Sequence, residues 1–135
     1  MSYEELPHTA DVRIRARAAT LGDLFSDMTD ALMQVMYGDD RTGSLKQEIR
    51  VRGGNPESLL RDYLSEVLYV SEVTGTVFSH AAVTMQDNAL HAVLSGEPFD
   101  PARHSGGTEV KGISYSGLLV RKEGNGYMAE IVFDV

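Results

Sequence analysis

The chain has 135 residues, with 12 Lys and Arg against 20 Asp and Glu, and a formal net charge of −8. This length corresponds to a single domain, residues 1–135, that can bury a core without disulfides. The absence of cysteine excludes disulfides, thiolate zinc sites and a cysteine nucleophile. The acidic balance disfavours a free-standing nucleic-acid-binding protein, because such proteins neutralise phosphates with Lys and Arg. It suits contact with metal ions or a basic protein partner, although solubility accounts for it equally well.

A strand pattern and a helix pattern follow one another in the first part of the chain. Apolar residues at every second position of 12–18 alternate with arginines, which predicts a half-exposed strand. From residue 21 to 36 the apolar spacing changes to three and four residues, which predicts an amphipathic helix. Thr20 is its predicted N-cap, and Gly38 is its predicted stop.

A second helix and a run of strands complete the chain. Asn55 as N-cap and Pro56 at the first helical position form a strong start signal, and the apolar stripe that follows ends before Gly75. Turn signals such as Gly124-Asn125-Gly126 separate strand patterns and indicate antiparallel hairpins. The strands are predicted at 47–51, 77–85, 89–95, 109–121 and 127–134.

This element order predicts an α+β fold, with a mainly antiparallel β-sheet and two amphipathic helices packed on it in a single domain. One long irregular segment, 96–108, interrupts the pattern, and loops of this length are usually functional or mobile. The N-terminus lacks the pattern of a secretory signal, and no apolar run approaches the roughly 18–20 residues that span a bilayer. We therefore expect a cytoplasmic protein without membrane contact.

The strongest candidate for chemistry is a group of acidic oxygens near the two ends of the chain. Asp11 stands at the start of the first predicted strand, and Asp134 and Val135 stand at the end of the last one. If these strands lie side by side, two side-chain carboxylates and the terminal carboxylate of Val135 gather as oxygen ligands, which hard divalent cations prefer. A lone aspartate beside a strand is commonly a cap or turn residue. The residues alone therefore leave a metal site and a structural role open.

Polar residues flank Asp11 on both sides. His8 precedes it by three residues and could ligate a metal, orient Asp11, hydrogen-bond the loop or carry a proton near pH 7, with a structural role the commoner use. Arg13, Arg15 and Arg17 follow it on one face of the predicted strand, roughly 7 Å apart. One interpretation of this stripe is a solvated outer face paired with acidic cross-strand neighbours. The other is a stripe that recognises phosphate or carboxylate groups of a partner.

A second cluster lies in the long irregular segment and the strand after it. Gly106 and Gly107 could let backbone amides approach an anion, and His104 and Lys111 could support such a site. No phosphate-binding loop, dinucleotide fingerprint, serine-hydrolase elbow, zinc-protease motif or kinase signature is present. The sequence therefore contains few recognisable catalytic groups for an autonomous enzyme.

Several segments together resemble the archease family. The segment His8-Thr9-Ala10-Asp11-Val12 is similar to the family's N-terminal signature, an acidic residue followed by H-T-A-D-V/I-G. The helix patterns at 21–36 and 57–64 resemble the family's two helices. Residues 109–115 are similar to its V-K-A-x-T-Y stretch, and residues 133–135 to its acidic, aliphatic C-terminus. The resemblance covers nearly the whole chain.

The resemblance implies a cytoplasmic accessory protein of an RtcB-type RNA ligase rather than an enzyme. Archeases promote guanylylation of the ligase's active-site histidine and multiple turnover in tRNA splicing and RNA repair, so RNA would be met only through the ligase. The family is associated with a divalent metal ion near the chain termini, which would be Ca²⁺, Mg²⁺ or Mn²⁺. Carried over by position, the metal ligands would be Asp11, Asp134 and Val135.

Three positions depart from the family pattern. Pro7 stands where the family usually has an acidic residue, Arg13 replaces the usual Gly, and Ser116 stands where His often follows the V-K-A-x-T-Y stretch. These departures bear on metal affinity and on partner recognition. Two other functions remain open for the same aspartates. One is a stand-alone metal-dependent phosphoester hydrolase, and the other is a chaperone-like binding module with a structural ion.

Overall fold

The computed structural model describes residues 3–6 and 11–135, and within them seven strands and three helices form an α+β fold. The predicted fold class is confirmed. The helices are α1 (Leu21–Tyr37), α2 (Pro56–Thr74) and α3 (Pro101–His104). The strands are β1 (Tyr3–Leu6), β2 (Val12–Ala18), β3 (Leu45–Arg52), β4 (Thr76–Gln86), β5 (Ala89–Pro98), β6 (Gly112–Glu123) and β7 (Gly126–Asp134).

The two long helices begin and end at the signals predicted from the sequence. Thr20 Oγ1 accepts a hydrogen bond from the Asp23 N–H at 3.1 Å and thereby caps α1. Asn55 caps α2 in the same way, because its side chain accepts a first-turn N–H. The helices are followed by Gly38 and by Gly75, whose φ of 66° places it in the left-handed region that favours glycine. Within the described residues, no helix has the length and apolarity to cross a membrane.

The strands form two antiparallel sheets, where the sequence predicted one. The first sheet has the strand order β1-β2-β7-β6, and the second has the order β3-β5-β4. Strands β2 and β7 are therefore neighbours in the middle of the first sheet, which is the arrangement that the candidate metal site requires. Both α1 and α2 contact strands of both sheets, so the helices join the two sheets into one unit.

One apolar core is shared by the two helices and the two sheets. Tyr63 on α2 is fully buried, stacks on Phe25 of α1 with ring centroids 6.2 Å apart, and shares a 2.7 Å hydrogen bond with Thr29 of α1. Val12 and Val135 pack against the edge of this core. The core therefore anchors the start of β2 and the residue that follows β7, which are the positions that flank the candidate carboxylates.

Several element boundaries differ from the sequence-based prediction. Strand β1 was not predicted, because its two glutamates weaken the apolar pattern and its pairing with β2 depends on tertiary structure. Strand β6 begins at Gly112 rather than at 109. The predicted irregular segment 96–108 is shorter, since β5 continues to Pro98 and a single helical turn, α3, follows it.

The glycine-rich end of this segment is packed against α1. A Cβ atom on Gly107 would lie 2.1 Å from the main-chain oxygen of Met36, and the Thr108 N–H donates to the Val35 oxygen at 2.8 Å. The Gly106 position has open space around it, with no atom within 4 Å of an added Cβ. Glycine at 107 is therefore explained by close backbone contact, and the next amide already has a carbonyl partner rather than an anion.

We expect Gly107→Ala to lower the free energy of unfolding by at least about 1 kcal/mol, because the clash is with backbone atoms that cannot move aside. Gly106→Ala is the matched control, and it should leave stability nearly unchanged. Chemical denaturation of the two variants and the parent protein measures both effects. Equal stability of the two variants would contradict the contact between this segment and the end of α1.

Candidate metal centre and the polar clusters around it

The candidate metal centre lies where β2 and β7 meet at their outer ends. Val12 is the cross-strand partner of Phe133, and the next residues outward are Asp11, directly before β2, and Asp134, the last residue of β7. Both aspartates are half-buried. The topology thus brings together two acidic residues that are separated by almost the whole length of the chain, as the sequence-based hypothesis required.

Main-chain contacts hold Asp134 in place from the other side. Its carbonyl oxygen accepts a hydrogen bond from the Lys111 N–H at 2.7 Å, and its cross-strand partner on β6 is Gly112. A Cβ on Gly112 would lie 3.7 Å from Asp134 Oδ2, so this carboxylate lies directly beside a position without a side chain. The side chain of Val135 packs against the core. The end of β7 is consequently an ordered, anchored segment.

This donor set fits a hard divalent cation. Asp11 and Asp134 offer carboxylate oxygens, and Val135 offers a carboxylate or carbonyl oxygen, which are the ligand types that Ca²⁺, Mg²⁺ and Mn²⁺ prefer. No group of three His, Asp or Glu side chains in residues 3–6 and 11–135 could by itself hold a metal ion. A metal at this end of the sheet would therefore need the oxygens of Val135, of water or of a partner. His8 lies outside the described residues.

The arginine stripe of β2 is paired with acidic neighbours on the adjacent strands. Glu130 of β7 accepts hydrogen bonds from Arg13 at 3.0 Å and from Arg15 at 2.6 and 2.9 Å. The Arg15 guanidinium, and after it that of Arg13, holds the pKa of Glu130 below its usual value. Arg17 pairs with Glu123 at 2.8 Å on the more exposed part of the sheet. Cross-strand pairing, the first interpretation of the stripe, is present in the structure, and a role in partner contact stays a prediction.

His104 and Lys111, which the sequence placed in one cluster, lie in different surroundings. Lys111 is adjacent to the candidate metal centre through its backbone bond to Asp134, and its side chain is exposed. His104 is buried at the end of α3, where its Nδ1 accepts the Asp100 N–H at 2.9 Å and its Nε2 lies 3.2 Å from Glu97 Oε2. Both ring nitrogens of His104 are thus engaged in a structural cluster.

Glu97 is the centre of that cluster. Its carboxylate accepts hydrogen bonds from Arg103 at 2.6 and 3.0 Å and from the Thr42 N–H at 2.7 Å, and Arg103 also binds Asp40. The hydrogen bonds from Arg103, and then the one from Thr42, lower the pKa of Glu97 to about 2. These contacts tie the end of β5, α3 and the loop before β3 together, which explains why the predicted irregular segment is ordered.

The low pKa of Glu97 predicts an acid-dependent contribution to stability. A carboxyl whose pKa is lower in the folded than in the unfolded protein stabilises the fold above its unfolded pKa, near 4.5, and loses this effect as the pH falls toward 2. We therefore expect Glu97→Gln to lower the melting temperature at pH 7, with a difference from the parent that shrinks below pH 4.5. Glu66→Gln, at an exposed position on α2, is the control. Melting curves at several pH values measure this, and a pH-independent difference would refute it.

Two acidic residues with structural importance were not singled out from the sequence. Glu130 lies in a strand that is otherwise nearly all buried, and Glu97 lies in the segment predicted to be irregular. The signal for Glu130 was indirect, because acidic neighbours on the adjacent strand were one of the two interpretations of the three arginines on one face of β2. No comparable signal marks Glu97, since its partners come from the loop before β3 and from α3, two separate parts of the chain.

Comparison with known proteins assigns the chain to a family. It matches the model of the archease protein family over residues 3–135. The chain belongs to the archease family. Protein archease of Methanopyrus kandleri is 34% identical over 140 residues, which cover 100% of both chains. Protein archease of Methanosarcina acetivorans is 34% identical over 139 residues, covering 98% of this chain and 95% of the relative.

Solved structures show the same fold. The solution structure of Methanobacterium thermoautotrophicum protein 1598 superposes with a TM-score of 0.80 at 21% identity, over 99% of each chain. A crystal structure from Thermotoga maritima, described as an archease and "possible chaperone", gives a TM-score of 0.67 at 16% identity, over 98% of this chain and 96% of that one. At these identities the likeness concerns the archease fold alone.

The departures from the archease pattern have different structural surroundings. Arg13, in place of the usual glycine, bonds to Glu130, so a carboxylate partner accompanies the added charge. Ser116 is exposed, and its N–H donates to Ser114 Oγ in an irregular stretch of β6. Pro7 lies outside the described residues. Neither Arg13 nor Ser116 replaces a carboxylate of the candidate metal centre.

Proposed function

We propose that this chain is an accessory activator of an RtcB-type RNA ligase in tRNA splicing and RNA repair, and not itself an enzyme. It would promote guanylylation of the ligase's active-site histidine and multiple turnover of the ligase. The observation that carries the proposal is the juxtaposition of Asp11 and Asp134 at the outer ends of neighbouring strands, in a chain that matches the archease family over residues 3–135. A cytoplasmic location is part of the proposal.

The proposed metal ligands are Asp11, Asp134 and Val135, and the proposed ion is Ca²⁺, Mg²⁺ or Mn²⁺. A divalent cation at this end of the sheet would neutralise the charge of a nucleoside triphosphate and help to position its α-phosphorus for attack by the ligase. The role of this chain's residues would be to present oxygen ligands from an anchored edge while leaving coordination positions open. If each of the three residues binds through one oxygen, the protein fills three of the six to eight positions of Ca²⁺, which leaves room for ligands from the partner complex.

The proposed contact with the ligase would surround this end of the sheet. Arg13, Arg15 and Arg17 lie on β2, which begins one residue after Asp11. Lys111 donates its N–H to the main-chain oxygen of Asp134. The side chains of the three arginines are 32% to 51% exposed despite the ion pairs. These cations could therefore contact acidic or phosphate groups of the ligase complex while remaining paired with their glutamates.

The test is guanylylation of a purified RtcB-type ligase with labelled GTP, in the presence and absence of this protein, at limiting divalent metal. We expect the protein to increase the rate of guanylylation and to shift its metal requirement to lower concentration. Asp11→Ala should remove most of this stimulation, and Asp23→Ala, near the start of α1, is a charge-matched control. An absence of stimulation over a full metal titration would refute the activator proposal.

The same preparation distinguishes the activator from a metal-dependent hydrolase. We expect the isolated protein to hydrolyse neither GTP nor a phosphodiester, because the sequence lacks a recognisable nucleophile or phosphate-binding loop. Turnover by the highly purified chain that is lost in Asp11→Ala would replace the activator with a hydrolase.

A chaperone-like binding module is a second candidate, favoured by two exposed apolar side chains on one turn of α2. Tyr69 and Val73 are 61% and 65% exposed and lie four residues apart on the helix. Suppression of aggregation of an unrelated unfolding protein, measured by light scattering, would support this function if it is lost in Tyr69→Ser combined with Val73→Ser. A protein that acts only on the ligase would leave the light scattering of the unrelated protein unchanged.

A further inference from the structure

The second sheet has one face packed on the helices and one face whose residues are exposed or half-buried, apart from the buried Ser95. The residues on the open face form four cross-strand rows, read from β3 through β5 to β4. We call these residues the open sheet face. The rows are Lys46–Ser95–His80, Glu48–Val93–Ala82, Arg50–His91–Thr84 and Arg52–Ala89–Gln86.

Positive charge is concentrated on the open sheet face of an otherwise acidic chain. Strand β3 contributes Lys46, Arg50 and Arg52 with Glu48 as the one carboxylate, and the rows contain no acidic residue from β4 or β5. Three cations and one carboxylate give a formal charge of +2, against −8 for the whole chain. Arg50 pairs with Glu48 at 3.1 Å but is 70% exposed, and Arg52 is exposed and makes no salt bridge within residues 3–6 and 11–135. The electrostatic preference of this surface is therefore opposite to that of the chain as a whole.

A cavity of about 440 Å³ lies at the Arg50 and Arg52 end of the face. Thr84, Gln86 and His91 contribute to its lining together with the two arginines. His91 Nε2 is shielded from solvent and makes no hydrogen bond within the described part of the chain, with Glu48 Oε2 at 3.5 Å. Guanidinium, hydroxyl, amide and imidazole groups thus surround one cavity, and these are the groups that bind phosphate oxygens and base edges.

We propose that the open sheet face binds single-stranded RNA directly, with Arg50 and Arg52 on backbone phosphates and the cavity receiving a nucleotide. The two arginines lie about 7 Å apart on one strand, and Lys46 lies about 13 Å farther along the same strand. A row of cations matches a polyanion that runs along β3 rather than a single small anion. This inference rests on the proposed function in its choice of RNA as the polyanion, and it departs from the expectation that RNA is met only through the ligase.

The shape of the face favours RNA over an acidic peptide. The central strand presents Ala89 and Val93 on either side of His91, and β4 presents Ala82, so small apolar side chains separate the polar groups of the face. The imidazoles of His80 and His91, together with the guanidinium planes, supply flat groups on which unpaired bases stack. An acidic peptide would pair with the cations but would leave these planar groups unused.

The test is fluorescence anisotropy with a labelled single-stranded RNA of about 12 nucleotides, within the usual site sizes of ~4–16, and with the protein alone over a range of salt concentrations. We expect salt-dependent binding that Arg50→Gln combined with Arg52→Gln weakens about tenfold. The double variant should also lower the slope of log affinity against log salt by about 1.4, because two phosphate contacts are lost. Arg121→Gln combined with Lys122→Gln, exposed on β6 of the first sheet, makes the same change in net charge and should bind as the parent does.

Three outcomes would overturn the proposal. The first is no binding by the parent protein at low salt, and the second is equal weakening by the two double variants. The third is that an oligo-glutamate peptide of similar length binds as tightly and with the same dependence on Arg50 and Arg52, which would identify the face as a site for acidic protein.

A separate reaction distinguishes this proposal from the activator function. Guanylylation of the ligase is measured without RNA, and there the Arg50 and Arg52 variant should stimulate as the parent does. If the parent binds RNA through this face but does not stimulate guanylylation, the activator function fails and RNA binding stands. If the parent protein stimulates guanylylation but does not bind RNA, the RNA-binding proposal fails and the activator function stands.

Discussion

Asp134→Asn is expected to weaken divalent-metal binding at least about tenfold and to remove most of the stimulation of ligase guanylylation. Loss of a residue that merely orients a metal ligand typically costs ~10–100-fold in affinity, and loss of a carboxylate ligand should cost no less. Folding should be little affected, because the Lys111 N–H bonds to the main-chain oxygen of Asp134, which the substitution keeps. Calorimetric titration of Ca²⁺, Mg²⁺ and Mn²⁺ measures the affinity, and melting curves in chelator measure stability.

Asp87→Asn is the matched control for this substitution. Asp87 is exposed in the turn between β4 and β5 and has a φ of 55°, which Asn adopts as readily as Asp. The control makes the same change in charge beside Tyr127, at the end of β7 opposite Asp134. Equal metal affinity of Asp134→Asn and the parent protein would show that this carboxylate is not a ligand.

A Gly-Ser extension after Val135 tests the remaining proposed ligand. The extension keeps every side chain and converts the α-carboxylate of Val135 into an amide carbonyl. We expect weaker metal binding and weaker ligase stimulation, with thermal stability in chelator nearly unchanged because the Val135 side chain stays packed on the core. If the extended protein binds metal with the parent's affinity, a carbonyl oxygen suffices or Val135 does not participate, and the terminal carboxylate is excluded as a ligand.

Arg13→Gln combined with Arg15→Gln is expected to lower the melting temperature at pH 7 by roughly 5–10 °C. The reason lies with Glu130, whose side chain is 9% exposed and which accepts hydrogen bonds from both arginines. Removing both leaves a nearly buried carboxylate without a counter-ion, and this costs far more than an exposed ion pair contributes. Calorimetric melting of the double variant and the parent measures the loss.

Arg17→Gln is the control on the same strand, since its pair with Glu123 is about half exposed and should contribute little. The pH dependence gives a second criterion. The pKa of Glu130 is lowered in the folded protein, so its stabilising effect is present above the ordinary value of 4.5 and fades as the pH falls below it. The difference between the double variant and the parent should therefore shrink in acid. If Arg17→Gln lowers the melting temperature as much as the double variant does, the burial of Glu130 is not the cause of the loss.

Local patterns in the sequence determined much of the secondary structure. The N-caps at Thr20 and Asn55 and the glycines after each helix bracket α1 and α2, because caps and left-handed stops act on backbone groups a few residues away. The alternation of arginine with apolar residues identified β2 and its two faces for the same reason. The pairing of acidic residues near the two ends was proposed as a hypothesis that depends on the contact of two distant strands.

Only the tertiary structure decided which distant residues meet. The division into two sheets, the pairing of β1 with β2 and the neighbouring positions of Asp11 and Asp134 all depend on strand order, which local patterns do not encode. The buried Glu130 and the ordering of residues around Glu97 likewise depend on partners far away in sequence. The periodicity of apolar residues shows which side of a helix or strand is buried. Packing in the core that α1 and α2 share with both sheets determines which helices and strands become neighbours.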